Sequence, residues 1–261
     1  MNTLKLIVMD NMKELGNQVL KELDGNYQLQ CKNSRFSNGE GKVVIENEVR
    51  NQDIYILTDV GNYHCSYDMH GMKHFMSPDE HFQDVKRVVS AIGGYANRIT
   101  VVMPLLYASR QHKRKGRESL DCAIALQELE RIGVNHIVTF DCHDPNVSNA
   151  IPNLPFENIY PTTEVIRTLK KEQLDDDLVV SPDMGAMERA RYYAEMLNSD
   201  VGVFYKRRDL SKIVNGKNPI VEHVYMGPEV KDKNILIVDD MIASGTSMLE
   251  VAKELKNRGA K

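Results

Sequence analysis

The sequence predicts an α/β protein built from mainly parallel sheets flanked by helices. Short apolar runs rich in β-branched residues alternate with segments whose apolar residues recur at helical spacing, which is typical of βαβ units. The predicted strands cover residues 4–9, 54–58, 99–103, 136–140, 178–181, 201–205 and 234–238. Several of them end on a polar residue. Because ligands of open α/β sheets bind at the carboxyl ends of the strands, we expect a site at these ends.

The segment Ser77-Pro78-Asp79-Glu80 predicts the start of a helix. A serine N-cap with a glutamate three residues later forms a capping box, and proline suits the first helical position. Apolar residues at helical spacing follow, from Phe82 to Ile92. We therefore expect a helix between the second and third predicted strands.

A proline-rich segment at 145–161 separates two series of alternating strands and helices. It predicts two domains, at residues 1–148 and 149–261. Residues 125–140 give a helix, a glycine and a strand, whereas residues 251–261 give only the helix and the glycine. From this contrast we expect an incomplete second domain in a chain truncated at its C-terminus.

Composition and charge argue against several classes of protein. The chain has 261 residues, of which 27% are charged and 42% hydrophobic, as in soluble globular proteins. A net charge of −4 argues against a general nucleic-acid binder. No apolar run approaches the roughly 20 residues of a membrane span, and no secretory signal is evident. Four widely spaced cysteines suit free thiols, so we expect a cytoplasmic protein.

The stretch NILIVDDMIASGTSMLEVAKEL, residues 234–255, predicts a phosphate-binding turn. Its apolar strand ends on Asp239 and Asp240, and a loop of small residues then leads into a helix. Backbone N–H groups of a tight glycine-containing loop at a helix N-terminus bind phosphate, and the loop hydroxyl groups add donors. The two carboxylates suit the hydroxyls of a sugar, directly or through a metal ion. The alternative is an ordinary strand-to-helix turn with capping residues.

The segment VDDMIASGTS resembles the phosphoribosyl-diphosphate-binding loop of the phosphoribosyltransferase fold. Other motifs occur in the order seen in the ribose-phosphate pyrophosphokinase family: RFSNGE at 35–40, RQHKRKGRES at 110–119, DCHD at 141–144, SPDMGAMERAR at 181–191 and YKRRD at 205–209. This resemblance covers essentially the whole chain and implies two phosphoribosyltransferase-like domains. It also implies transfer of the diphosphoryl group of ATP, with Mg²⁺, to the 1-hydroxyl of ribose 5-phosphate, which gives phosphoribosyl diphosphate and AMP.

The resemblance implies a role for each motif. Lys206 and Arg208 would be the catalytic pair, on a mobile loop at 209–222, and His143 and Asp183 would hold Mg²⁺. The implied ATP-binding residues are Phe36, Asn38, Glu40, Arg110 and Gln111. The implied ribose-5-phosphate-binding residues are Asp239, Asp240, Ala243, Ser244, Gly245, Thr246 and Ser247. In the family the RFSNGE-like segment reaches the ATP site of a neighbouring subunit, so we expect a homo-oligomer with a shared site.

The residue chemistry suits these roles, although each motif alone has a simpler reading. Fixed cations stabilise charge that develops on a diphosphoryl group, but a KRR run alone is more often a solvated turn. A lone histidine at a strand end is more often structural. The basic run at 110–117 could contact nucleic acid, but the nearby Glu118 and Asp121 weaken that reading.

The chain departs from the family pattern at a few positions. Asn38 stands where the family usually has aspartate, and His112 stands where an acid is common after Arg-Gln. The segment DCHDPNVSN differs after its histidine, and the loop DDMIASGT is one residue shorter than usual. Two alternatives stay open: a phosphoribosyltransferase that acts on a base and needs no ATP site, and a non-catalytic regulatory or associated subunit.

Several potential metal ligands lie between residues 64 and 81: His64, Cys65, His70, His74 and His81. Their spacing matches no standard ligand pattern. We therefore expect this segment to lead into the helix capped at Ser77 rather than to hold a metal ion.

Overall fold

The computed structural model describes residues 3–172, 177–208 and 220–261, without the side chains of 206–208 and 220–223. The chain divides into two compact units, Met1–Tyr160 and Pro161–Lys261. Residues 149–160, predicted from the sequence to belong to the second domain, carry the last strand of the first sheet.

The first unit is built on a five-stranded parallel sheet with the order β1-β4-β7-β8-β9. Its described strands are β1 Thr3–Val8, β2 Cys31–Arg35, β3 Gly41–Ile45, β4 Gln52–Leu57, β5 Ser66–Met69, β6 Met72–Phe75, β7 Arg98–Val102, β8 His136–Phe140 and β9 Phe156–Ile159. Its helices are α1 Lys13–Glu22, α2 Pro78–Ile92 and α3 Asp121–Arg131. The four strands predicted for this part of the chain, at 4–9, 54–58, 99–103 and 136–140, are confirmed within two residues at each end.

The core of the first unit forms because the central strands carry β-branched residues on both faces. Ile54, Ile56 and Val101 on one face and Thr100 on the other are fully buried, as expected for strands of a parallel sheet covered on both sides. The predicted capping box of α2 is confirmed: Ser77 Oγ accepts from the Glu80 amide at 3.3 Å, and the Ser77 amide donates to Glu80 Oε2 at 2.8 Å. This cap fixes where α2 begins, and thereby which of its faces packs on the sheet.

Two antiparallel hairpins, β2–β3 and β5–β6, lie outside the five-stranded sheet. Their tips approach each other, because the His70 amide donates to the Ser37 carbonyl at 3.1 Å. The sequence analysis did not predict either hairpin. The residues between 64 and 81 therefore form a hairpin before α2 rather than a simple lead-in.

The second unit contains a four-stranded, mainly parallel sheet with the order β12-β11-β10-β13. Its described strands are β10 Leu178–Ser181, β11 Asp200–Arg208, β12 Ile220–Met226 and β13 Ile235–Ile237, and its helices are α4 Thr162–Lys171, α5 Met187–Leu197 and α6 Thr246–Asn257. Strand β10 is parallel to β11 and β13, and β12 is antiparallel to β11. The three strands predicted from the sequence here are confirmed, and β12 was not predicted. In the described residues, no helix is both long and apolar enough to span a membrane.

Candidate active site

Three carboxylates cluster at the carboxyl end of the second sheet. Since β10 and β13 are parallel neighbours, Asp183 and Asp239, each two residues beyond its strand, lie at the same edge. Burial and a hydrogen bond shared with Asp240 raise the pKa of Asp239 to about 6, and the negative charges of Asp240 and Asp183 add to this effect. The structure therefore brings together three acids that the sequence analysis assigned to sugar and metal binding.

The Asp183 carboxylate is held in place by the backbone that follows it. Its Oδ1 atom accepts from the amides of Gly185 at 2.8 Å and Ala186 at 3.3 Å. The buried Ser181 hydroxyl donates to the Asp183 carbonyl at 2.6 Å. These bonds fix the direction of the carboxylate beside Asp239.

The loop after Asp240 presents the start of α6 to solvent. Gly245 is the N-cap residue with a left-handed φ of 75°, and a side chain added there would meet no atom within 4 Å. Ser244 Oγ lies 3.0 Å from Thr246 Oγ1, and Ala243, Ser244, Thr246 and Ser247 are exposed. Because the first amides of a helix lack intrahelical partners, this open loop offers N–H and hydroxyl donors to an anion.

In the first unit, a turn and a loop meet beyond the ends of β7 and β8. Arg110 and Gln111 are exposed on a 3-10 turn, Ser109–Gln111, that follows Ala108 with a φ of 53°. His143 is exposed on the loop after β8. The rings of His112 and His143 meet edge to face with centroids 5.2 Å apart, so the predicted ATP-binding turn lies beside the predicted metal ligand.

The tip of the β2–β3 hairpin carries the RFSNGE segment. Phe36 is 55% exposed. Asn38 Nδ2 donates to Glu40 Oε2 at 3.0 Å, while Asn38 Oδ1 accepts from the Glu40 amide at 3.2 Å. An aspartate at this position could accept the second bond but could not donate the first to a carboxylate. The asparagine therefore suits the conformation of this tip.

Lys206 and Arg208 lie in β11, where the backbone of Lys206 is paired with that of His223. Their side chains lie outside the part of the chain that the structure describes, as do residues 209–219 of the predicted catalytic loop. Residues 220–222, the end of that predicted loop, belong to β12 instead.

Among the described residues, no three histidine, cysteine, aspartate or glutamate side chains form a group that could hold a metal ion. The histidines of the segment 64–81 have structural contacts instead. His74 Nε2 lies 3.1 Å from Glu80 Oε2, and the buried His81 contacts the Asn62 carbonyl through Nε2 at 2.7 Å.

Comparison with known proteins places these features in one family. Residues 4–133 match the N-terminal domain of ribose phosphate pyrophosphokinase, and residues 156–261 match the phosphoribosyl transferase domain. The ribose-phosphate pyrophosphokinase of Vibrio cholerae is 30% identical, over 87% of this chain and 67% of the relative. The chain belongs to the ribose-phosphate pyrophosphokinase family.

Other matches agree with this membership. The ribose-phosphate pyrophosphokinase of Burkholderia pseudomallei is 31% identical over 87% of this chain and 66% of the relative. The crystal structure of phosphoribosylpyrophosphate synthetase from Mycobacterium smegmatis superposes with a TM-score of 0.84 at 25% identity, covering all of this chain and 78% of that one. The chain thus spans about two thirds of the length of the first two curated relatives that it matches.

The structure adds residues to which the sequence analysis gave no role. Arg189, in the first turn of α5, places Nη1 4.0 Å from Asp240 Oδ1, and both side chains are largely buried. The guanidinium of Arg189 therefore places a positive charge close to the carboxylate of Asp240. The motif SPDMGAMERAR contains this arginine, but only the fold places it beside β13.

Asp84 is a second residue to which no role was given from the sequence. It anchors the hairpin that carries Phe36. Its carboxylate is 1% exposed and accepts from Arg35 at 2.5 and 2.8 Å, from Asn33 at 2.6 Å and from Arg87 at 2.6 Å. Burial alone would raise the pKa of Asp84, but the hydrogen bonds from Arg35 and Asn33 lower it below its usual value. A charged residue among the apolar positions of α2 was the available signal in the sequence.

Proposed function

We propose that this chain is a ribose-phosphate diphosphokinase, which transfers the β,γ-diphosphoryl group of ATP to the 1-hydroxyl of ribose 5-phosphate. The observation that carries the proposal is the carboxylate cluster and open loop beyond β10 and β13, in a chain that also matches the family's N-terminal domain. A phosphoribosyltransferase acting on a base shares the loop but needs no such domain, so this alternative is less well supported.

The second unit is assigned the ribose 5-phosphate. Its phosphate would accept hydrogen bonds from the loop amides and hydroxyls at Ala243, Ser244, Gly245, Thr246 and Ser247. Its ribose hydroxyls would donate to Asp239 and Asp240. Because Asp239 lies among other negative charges, neutral donors from a sugar stabilise its ionised form. This arrangement uses the dipole of α6 for the anion and the strand end for the sugar.

ATP is assigned to residues of the first unit. Arg110 can bind a phosphate oxygen, and Gln111 follows it on the same turn. Phe36 offers an exposed ring for stacking on adenine, beside Asn38 and Glu40. We assign this hairpin tip to the ATP site of a neighbouring subunit, which makes the protein a homo-oligomer.

In the reaction, the oxygen of the 1-hydroxyl forms a bond to the β-phosphorus of ATP, and the proton of that hydroxyl passes to water. The bond from that phosphorus to the oxygen retained by AMP breaks. Lys206 and Arg208 are assigned the stabilisation of charge on the transferred group, since fixed cations act most strongly where charge develops in the transition state. The product is phosphoribosyl diphosphate.

Asp183 and His143 are assigned to Mg²⁺. Asp183 fits this cation because Mg²⁺ prefers oxygen ligands, keeps several waters and needs few protein groups, whereas His143 is assigned from the family resemblance alone. The Asp183 carboxylate is oriented by two amides and lies among other acids, where a cation would relieve repulsion. When bound, Mg²⁺ supplies positive charge to the phosphates of ATP.

Free thiols at Cys31, Cys65 and Cys122 support a cytoplasmic location.

The test is AMP release from ATP and Mg²⁺, with and without ribose 5-phosphate. We expect AMP only with the sugar, and a loss of about 100-fold or more in Lys206→Ala. The control is Lys170→Ala, which removes an exposed lysine of α4 and should retain the activity. A folded chain that binds ATP but releases no AMP would support the non-catalytic alternative. A chain that does not bind ATP in calorimetry would support the base transferase.

A further inference from the structure

His112 lies between two segments that carry predicted site residues. Its side chain is 9% exposed. It follows the turn that holds Arg110 and Gln111 directly, and its ring packs against the ring of His143 on the loop after β8. A single ring therefore contacts both segments.

On the turn side, His112 bonds to the backbone. His112 Nδ1 lies 3.1 Å from the Ser109 carbonyl oxygen. A carbonyl oxygen only accepts, so Nδ1 carries the proton and donates. This bond closes the turn from Ser109 to His112 and holds the backbone between them.

On the loop side, His112 faces Asp144, the residue after His143. His112 Nε2 lies 3.1 Å from Asp144 Oδ2. Nε2 is buried and forms no hydrogen bond within the described residues, so its contact with Asp144 is attractive only when the ring is protonated on both nitrogens. Asp144 Oδ1 is itself fixed by the amide of Asn146 at 3.0 Å and by Asn146 Nδ2 at 2.9 Å. The carboxylate is therefore a rigid partner for the ring.

The contact joins two residues that lie far apart in the sequence, His112 after the predicted ATP-binding turn and Asp144 after His143. They are 32 positions apart in the sequence, yet the fold brings them into contact. A change at Asp144 would remove this contact and leave the packing of the two rings, whereas a change at His112 would remove both.

We propose that His112 and Asp144 are positioning residues that fix the position of the Arg110–Gln111 turn relative to His143. The pair acts through these neighbours and does not touch the reacting atoms. This inference rests on the proposed function, because it concerns the position of the predicted ATP-binding turn relative to the predicted metal ligand.

The kinetic test uses His112→Ala, Asp144→Ala and the double variant. Loss of a partner that orients a ligand typically costs about 10-fold, so we expect the KM for ATP to rise by about 10-fold in each single variant. The KM for ribose 5-phosphate should stay unchanged. Because Asp144 acts through His112, the double variant should be no worse than His112→Ala.

The control is His136→Ala. His136 also has a buried Nε2 without a hydrogen bond among the described residues, 3.2 Å from a carboxylate oxygen of Glu157, but it lies at the start of β8, away from His143. Its kinetic constants should change by less than about twofold. A KM for ATP unchanged in His112→Ala, or raised equally in His136→Ala, would overturn the proposal.

A second measurement does not depend on turnover. The imidazole resonances of His143, observed by nuclear magnetic resonance in the folded protein, should shift in His112→Ala and Asp144→Ala but not in His136→Ala. If the original chain releases no AMP, the proposed function fails, while this spectrum still tests the positioning. His143 resonances that stay unchanged in both variants would refute it.

Discussion

At the scale of single residues, Asp239 is a carboxylate that is proposed to bind the sugar, and its burial lowers the stability of the unliganded folded chain near neutral pH. Its folded pKa of about 6 lies above the ordinary value of 3.8, chiefly because of burial. The folded state therefore binds more protons than the unfolded state between these two values. Stability contributed by the protonated acid is lost as the pH rises through this window.

We predict that Asp239→Asn stabilises the unliganded chain near neutral pH. The gain should be about 1 kcal/mol, after allowance for solvent screening of a half-exposed group. It should vanish below pH 3.8, where the native carboxyl is protonated in both states. Urea unfolding across this pH range measures it.

Glu250→Gln, which changes an exposed acid of α6, is the control and should show no such pH dependence. A destabilised Asp239→Asn near neutral pH would contradict the assignment of repulsion to this cluster. Ribose 5-phosphate binding should weaken in the same variant, because a sugar-binding carboxylate is lost.

At the scale of elements, α2 and the β2–β3 hairpin are held together by one buried carboxylate. We predict that Asp84→Ala destabilises the chain by about 3 kcal/mol, because it leaves Arg35, 9% exposed, without its carboxylate partner. Urea unfolding at neutral pH gives the value. The exposed Asp68 of β5 is the control site, and Asp68→Ala should cost less than about 0.5 kcal/mol. Equal losses in both variants would contradict the anchoring role.

The start of α2 gives a second prediction at this scale. Burial alone would raise the pKa of Glu80, but hydrogen bonds from Tyr67, the Ser77 amide and His74 lower it to about 2. Its contribution is therefore present above the unfolded value of 4.5 and is lost as the pH falls towards 2. Glu80→Gln should cost about 1 kcal/mol near neutral pH, as for loss of a helix cap.

Thermal unfolding at several pH values measures this difference. The gap between Glu80→Gln and the original chain should shrink as the pH falls from 4.5 towards 2. A gap that stays constant with pH would show that the ionised carboxylate is not what stabilises the cap.

The sequence predicted elements best where one local pattern sufficed. Buried parallel strands such as β7 and β8 are apolar runs, and the cap of α2 is a local motif. The β2–β3 and β5–β6 hairpins were not predicted because their strands are short and largely polar. Asn38-Gly39 at the tip of the first hairpin is nevertheless a recognised hairpin signal. Strand β12 was missed because its paired neighbour among the described residues, β11, is antiparallel to it and the βαβ pattern does not extend to it.

At the scale of the whole molecule, each unit has predicted site residues beyond the carboxyl ends of parallel strands: Arg110 and His143 in the first unit, and Asp183 and Asp239 in the second. In the second unit, the residues alone predicted the sugar-phosphate loop, because a strand, acids, a small loop and a helix are contiguous. In the first unit, the roles of Arg110 and His143 required the family resemblance. The contact of His112 with Asp144 depends on tertiary structure, so no local pattern could reveal it.

We expect the β- and γ-phosphates of ATP to be transferred to the sugar together, as one diphosphoryl group. Phosphorus nuclear magnetic resonance of a reaction with ATP, Mg²⁺ and ribose 5-phosphate tests this directly. The spectrum should show a diphosphoryl group on the first carbon of the sugar and an equal amount of AMP. Formation of ADP, or of AMP with free diphosphate and unmodified sugar, would contradict it.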